Sequence, residues 1–149
     1  MEILNREAKF NYFILEEIEC GIELAGTEIK SIRNSKANLK DSYAIIRNDE
    51  VYLLNMHISE YKEGNIFNHD PRRTRKLLLH KKEILKLKDE VEKEGCTLIP
   101  LKLYFVKNKV KILLGLCKGK KTFDKRETIK KRELAKEAAK LQKYRYRKN

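Results

Sequence analysis

At 149 residues with 41% apolar content, the chain is long enough to bury one core and too apolar for a disordered polymer. Charged residues make up 38% and the net charge is +13, of which residues 118–149 carry +10 through 14 Lys/Arg against 4 Asp/Glu, a balance that points to a polyanionic partner such as RNA or the ribosome. The scattered Cys20, Cys96 and Cys117 exclude a disulfide frame or a zinc site and read as reduced core thiols, while the charges at Glu2, Arg6, Glu7 and Lys9 and the lack of a long apolar run exclude a signal peptide and a membrane span.

Phe10 to Leu24 mixes aromatic and β-branched residues with single charges and predicts a long first strand, bent near Gly21. Thr27 is the expected N-cap of a short helix running to about Asn34, whose Ile29 and Ile32 plug one end of a barrel. Leu39 to Arg47 and Val51 to Ser59 form a hairpin about Asn48 and Asp49, residues that tolerate positive φ. From Asp70 to Glu94, with Asp70 as cap and Pro71 in the first turn, apolar residues recur at helical intervals and predict one broken helix or two short ones, stopped by Gly95. Leu101, Leu103 and Phe105 alternate and are answered by Val110, Ile112, Leu114 and Leu116 across a turn at Lys107 to Lys109, a second hairpin.

The expected fold is mainly β with α: a small antiparallel barrel of five strands, of the oligonucleotide-binding kind, with flanking helices and a basic C-terminal tail. A split α+β sandwich is the alternative. Residues 1–117 form the barrel domain and residues 118–149 the tail, whose thin stripe of Ile129, Leu134, Ala138 and Leu141 cannot bury itself alone. The tail is therefore expected to be disordered when free and helical when bound.

Within Asn68 to His80, NHDPRRTRKLLLH, the residues Arg72, Arg73, Arg75 and Lys76 stand at the predicted helix start, where guanidinium forks and free N–H donors suit phosphate oxygens. The plainer alternative is a solvated first turn. His57, His69 and His80 lack the surrounding motifs of a catalytic centre and read as structural or base-stacking groups. The acidic run Glu16, Glu17, Glu19, Glu23 and Glu28 alternates along a strand and reads as a solvated face, although one carboxylate could accept from guanine or a ribose 2′-hydroxyl. Tyr144 and Tyr146, interleaved with Lys143, Arg145 and Arg147, fit either base stacking or a frayed terminus. No cofactor, metal or catalytic residue is expected. An RNA-processing enzyme built on the acidic run and a ribosomal structural protein are the competing classes.

Six stretches in order resemble the small protein B family, the tmRNA-binding proteins of bacterial trans-translation: Asn5 with Arg6, AGTEIKSIR from Ala25, KANLKDSY from Lys36, Asn68 to Leu79, PLKLYF from Pro100, and GLCKGKKTFDKRE from Gly115. The resemblance implies an oligonucleotide-binding barrel on the tRNA-like domain of tmRNA, near its D-loop and elbow, in place of the missing anticodon arm. It implies RNA contacts at Asn5, Glu19 and Leu78. It also implies a tail that enters the empty mRNA channel of a stalled ribosome and folds near the decoding centre, matched at Gly119, Lys120, Lys121, Asp124, Lys125 and Arg126 and continued by Lys130, Lys131 and Arg132. Phe123 stands where the family often has His or Tyr, which keeps stacking and loses a ring hydrogen bond. Elongation factor Tu and alanyl-tRNA synthetase enter through tmRNA, and a cytoplasmic monomer is implied.

Overall fold

The computed structural model describes residues 1–63 and 68–120. Its elements run β1 (Glu2–Leu4), α1 (Ala8–Asn11), β2 (Tyr12–Ile22), α2 (Gly26–Arg33), β3 (Ala37–Asn38), β4 (Tyr43–Arg47), β5 (Glu50–Leu54), β6 (His57–Ile58), β7 (Arg75–Leu78), α3 (Lys81–Glu94), β8 (Thr97–Val106) and β9 (Lys109–Gly119). Six strands close an antiparallel ring in the order β8, β4, β5, β7, β2, β9 and back to β8. Closure between β4 and β8 rests on the single register pair Ala44 with Leu98. Beyond that point the same edge of β8 takes β1, while β3 and β6 form a separate two-stranded ribbon. The barrel of the oligonucleotide-binding kind is thus present, with one more strand than the sequence suggested.

Both hairpins turn on residue pairs with positive φ, Asn48 and Asp49 at 52° and 58°, Lys107 and Asn108 at 48° and 67°. Two-residue turns of this hand match the strand twist. The first hairpin is shorter than the extended pattern implied, because Asp41 and Asn55 also adopt positive φ and end the pairing at Tyr43 and Leu54. Inward residues alternate along each strand, among them Val51, Leu53, Leu77, Leu103, Ile112 and Leu114, all at most 1% exposed. Ile32 of α2 closes the end where β2 and β5 leave the barrel, and Ile84 and Leu87 of α3 join the same core from the opposite end. Gly95, at φ 69°, ends α3 in the left-handed conformation expected of a glycine there.

The extra strand is β7, and it overturns the helical reading of Asp70 to His80. Asp70 and Pro71 do make a turn, but the Arg72 N–H donates to Asp70 Oδ1 and the Arg73 N–H to Asp70 O, so the chain reverses instead of winding on. Arg75 and Leu77 then point inward and Lys76 and Leu78 outward, a period of two, while β7 pairs with β5 and β2. The helix begins only at Lys81, where the His80 N–H donates to Glu83 Oε1 at 3.0 Å. Two smaller expectations also shift. The N-cap of α2 is Ala25 and not Thr27, and β2 carries its bulge between Ile14 and Glu16, leaving Gly21 within regular pairing.

What holds β7 to α2 is a buried ionic cluster. Glu28, in the first turn of α2, and Arg75 are both 0% exposed. Glu28 Oε1 accepts from the Ala25 N–H at 2.8 Å and Arg73 Nη2 at 2.7 Å; Oε2 accepts from Arg73 Nε at 2.9 Å and Arg75 Nε at 2.7 Å. Arg75 then donates Nη1 to Met56 O at 2.7 Å and Nη2 to Pro71 O at 3.0 Å, which ties the loop after β5 and the turn before β7 to the same guanidinium. Burial alone would raise the Glu28 carboxyl, but the Arg73 guanidinium, the Ala25 N–H and Arg75 together hold it below its ordinary value of 4.5.

Replacing Glu28 by Ala leaves Arg75 buried and unpaired, and chemical denaturation is expected to show a loss of about 3–5 kcal/mol. Because the folded value of Glu28 is depressed, its contribution is complete above about pH 4.5 and is lost as pH falls through the lower folded value. Urea midpoints of the wild type should therefore drop below that pH more steeply than those of the Glu28→Ala variant.

Candidate nucleic-acid interface

Alternation along β2 puts Cys20 and Ile22 inside and Glu17 and Glu19 outside. Gly21 shares the outer face of Glu19 and is in register with Leu78 of β7, the outward neighbour of buried Leu77. A Cβ on Gly21 would sit 3.4 Å from Leu78 Cβ, so the glycine leaves this ground open. Around it lies a concavity of about 660 Å³ lined by Glu19, Gly21, Leu78, His80, Lys109 and Lys111, among others. Leu78 is 45% exposed and lines it, so its side chain supplies apolar surface to the hollow.

The polar rim of this hollow is ordered. Tyr104, outward on β8, donates its hydroxyl to Glu19 Oε1 at 2.7 Å, reaching over β9 between them. Partial burial raises the Tyr104 hydroxyl above its ordinary value, and the bond to Glu19 raises it further, so it stays a donor at any physiological pH. Beneath the surface, Cys20 donates to Ile112 O at 3.5 Å, and burial, helped by Glu83, pushes its thiol to about 12. Burial likewise puts Cys117 at about 12, so neither thiol is poised as a nucleophile. The hollow offers an apolar platform, a carboxylate acceptor and two ammonium groups. Such a set can hold a base or ribose against Leu78, accept from its donor edge and meet the adjoining phosphates.

The structure unites Glu19 and Leu78 and separates the other residues read as RNA contacts. Asn5 lies beside a different hollow, with Tyr12, Asp41 and Tyr43, and its Nδ2 donates to Pro100 O at 2.8 Å. Arg75 is enclosed in the ionic cluster, so the expectation of a phosphate contact there is corrected: its guanidinium donates to Glu28 and to main-chain carbonyls and never reaches the surface. Arg73 gives its fork to Glu28, Lys76 forms an ion pair with Glu50, and exposed Arg72 donates to Asn55 O at 3.2 Å. No helix starts at these four residues, so the N–H donors expected there to accompany them are absent from the fold.

His69 is a structural group, with Nε2 donating to Ile58 O and Nδ1 accepting from the Thr27 hydroxyl, each at 2.9 Å. The acidic run divides: Glu28 is buried, Glu16 meets Lys86 at 2.7 Å, and Glu19 faces the hollow. Among the described residues no three His, Cys, Asp or Glu gather as a metal site, and no helix is long and apolar enough to cross a membrane. Of the tail, Gly119 ends β9 and Lys120 Nζ donates to Lys9 O at 2.7 Å while standing 5.1 Å from the Phe13 ring. Lys121, Phe123, Asp124, Lys125, Arg126, Lys130, Lys131 and Arg132, with the expected tail helix, lie outside the described residues.

Tyr104, Lys109 and Lys111 join the site although the motifs did not single them out for it. The alternation in PLKLYF already put Lys102 and Tyr104 on the face opposite Leu101, Leu103 and Phe105, which was the available signal.

The SmpB protein family matches residues 2–144. An SsrA-binding protein of Gloeothece citriformis is 62% identical over 130 residues, covering 87% of this chain and 84% of that one. One from Borreliella afzelii is 54% identical over 142 residues, 95% of each chain. A solved structure described as "tmRNA-SmpB: a journey to the center of the bacterial ribosome" superposes with a TM-score of 0.67 at 48% identity, covering 79% of this chain and 83% of that one.

Because Leu78 projects from the barrel, Leu78→Ala should change stability by less than about 1 kcal/mol, whereas Leu77→Ala should cost about 2–5 kcal/mol. Paired denaturation curves check the contrast, and only Leu78→Ala is expected to weaken RNA binding at unchanged stability.

Proposed function

The chain belongs to the SmpB protein family, and from that premise we propose that it is an RNA-binding adaptor: it binds the tRNA-like domain of tmRNA and delivers it to stalled ribosomes for trans-translation. The observation that carries the reading on this chain is the meeting of Glu19 and Leu78 with Lys109 and Lys111 in one hollow on the outer wall of the barrel. Phosphate attraction alone would bind any RNA and fade with salt; a fixed acceptor and an apolar platform add selectivity for a folded shape. The role is non-enzymatic. RNA binding without cleavage, at any divalent metal concentration, separates it from an RNA-processing enzyme.

The tail supplies the second half of the proposal. Residues 121–149 reach the empty mRNA channel and pay their ordering cost, about 1–2 kcal/mol per residue of backbone, through contacts with ribosomal RNA. An occupied channel removes those contacts, so vacancy is the signal. Lys120, Lys121, Lys125, Arg126, Lys130, Lys131 and Arg132 meet phosphates, and Phe123 stacks without a ring hydrogen bond. Elongation factor Tu and alanyl-tRNA synthetase act on the RNA and not on this chain, which works as a monomer in the cytoplasm.

Binding to the tRNA-like domain, compared with an ordinary tRNA of similar size across a salt series, tests the reading: selectivity should persist at physiological salt, and equal, steeply salt-dependent binding to both would overturn it. Deleting residues 123–149 should leave that affinity within a few-fold while abolishing tagging of stalled chains in a reconstituted translation assay. A large loss of affinity would refute the division between barrel and tail.

A further inference from the structure

Glu19 is an exposed carboxylate on a strand, a side chain that ordinarily samples several rotamers. Here one of its two oxygens is taken: Oε1 accepts from the Tyr104 hydroxyl at 2.7 Å, and Oε2 has no hydrogen-bond partner among the described residues. Tyr104 is itself held. Its strand neighbours across β9 are fixed by the β8–β9 register, Lys102 Nζ stands 5.4 Å from its ring centroid, and the same Nζ meets Glu2 Oε2 at 3.4 Å. A row of contacts therefore runs over the outside of the barrel from Glu2 on β1 through Lys102 and Tyr104 to Glu19, ending at the wall of the Leu78 hollow.

Resting on the adaptor reading above, we propose that Tyr104 is a positioning and specificity-determining residue for RNA. By occupying Oε1 it fixes the carboxylate so that Oε2 presents one lone-pair direction to a hydrogen-bond donor of the RNA, a ribose 2′-hydroxyl or the donor edge of a guanine. The chemistry discriminates by sign. An acceptor edge placed against Oε2 meets a negative oxygen and is rejected, because the Tyr104 hydroxyl is already committed to Oε1. A freely rotating Glu19 would lose orientation entropy on binding and could turn either oxygen toward solvent, so the tyrosine contributes by ordering the acceptor before the RNA arrives. Tyr104 acts through Glu19; it is not required to touch the RNA.

The test is a double-mutant cycle on binding of the full chain to the tRNA-like domain, with Tyr104→Phe and Glu19→Ala. Tyr104→Phe removes one oxygen and keeps the ring, so the melting temperature should not move, which a thermal scan checks. Tyr104→Phe alone should weaken binding by about five-fold, and Glu19→Ala by about ten-fold or more. In the Glu19→Ala background, Tyr104→Phe should change affinity by less than about two-fold, since nothing remains to position. Independent, multiplicative effects would overturn the inference by making Tyr104 a direct contact, and an unchanged affinity in Tyr104→Phe alone would overturn it outright. A Glu19→Ala variant that binds like the wild type would overturn it too. Where wild-type selectivity for the tRNA-like domain is intact while Tyr104→Phe has no effect, only the positioning role fails; where that selectivity is missing, the adaptor reading fails with it.

Discussion

The carboxylate of Glu28 is the constraint on which the barrel depends. A carboxylate with no solvent exposure carries a desolvation cost that only matched donors can offset, and Glu28 has four: two from Arg73, one from Arg75 and one from the chain at Ala25. Those donors come from the start of α2 and from the turn and strand that follow residue 70. The cluster therefore fixes where β7 lies, and β7 is the strand that joins β5 to β2 and makes the ring continuous. Because Arg75 also donates to Met56 and Pro71, the loop after β5 cannot shift without breaking a buried charge-assisted bond.

The position of β7 also makes the proposed RNA face. Leu77 enters the core and Leu78, the next residue, must face out, beside Gly21 and the Glu19 side of β2. A leucine left in water contributes little to folding and suits a surface awaiting a base or ribose. Charge is then distributed by task. Arg73 and Arg75 serve the fold, Lys109 and Lys111 flank the hollow, and the basic residues of the tail belong to a second RNA surface in the proposed mechanism.

Much of this was legible in the sequence, and the exceptions have physical causes. Short turns at Asn48 and Asp49 and at Lys107 to Lys109, with alternating apolar residues on either side, marked both hairpins, although Lys109 already belongs to β9, and Gly95 marked the end of α3. Asp70 to His80 misled because Asp-Pro followed by Leu77, Leu78 and Leu79 satisfies helical and extended periods alike over so short a run. The deciding fact was nonlocal: an arginine at position 75 can face inward only if a carboxylate waits there, and Glu28 is 47 residues away in the chain. The same blindness made the arginine run look like a phosphate site. Glu19 and Leu78 entered through family resemblance. Their neighbours Tyr104, Lys109 and Lys111 required the closure of the barrel to bring β8 and β9 beside β2.

Directed cleavage of the RNA offers the most direct test of where the barrel meets its partner. The three native cysteines are buried, so a cysteine introduced at Lys109 or at Arg72 can carry a hydroxyl-radical source selectively. With the tRNA-like domain of tmRNA bound, strong, localised strand scission is expected from position 109, at the edge of the Glu19 and Leu78 hollow, and little from position 72. Strong scission from position 72 with none from position 109 would place the RNA on the arginine turn and rule out the Glu19 and Leu78 hollow as its seat.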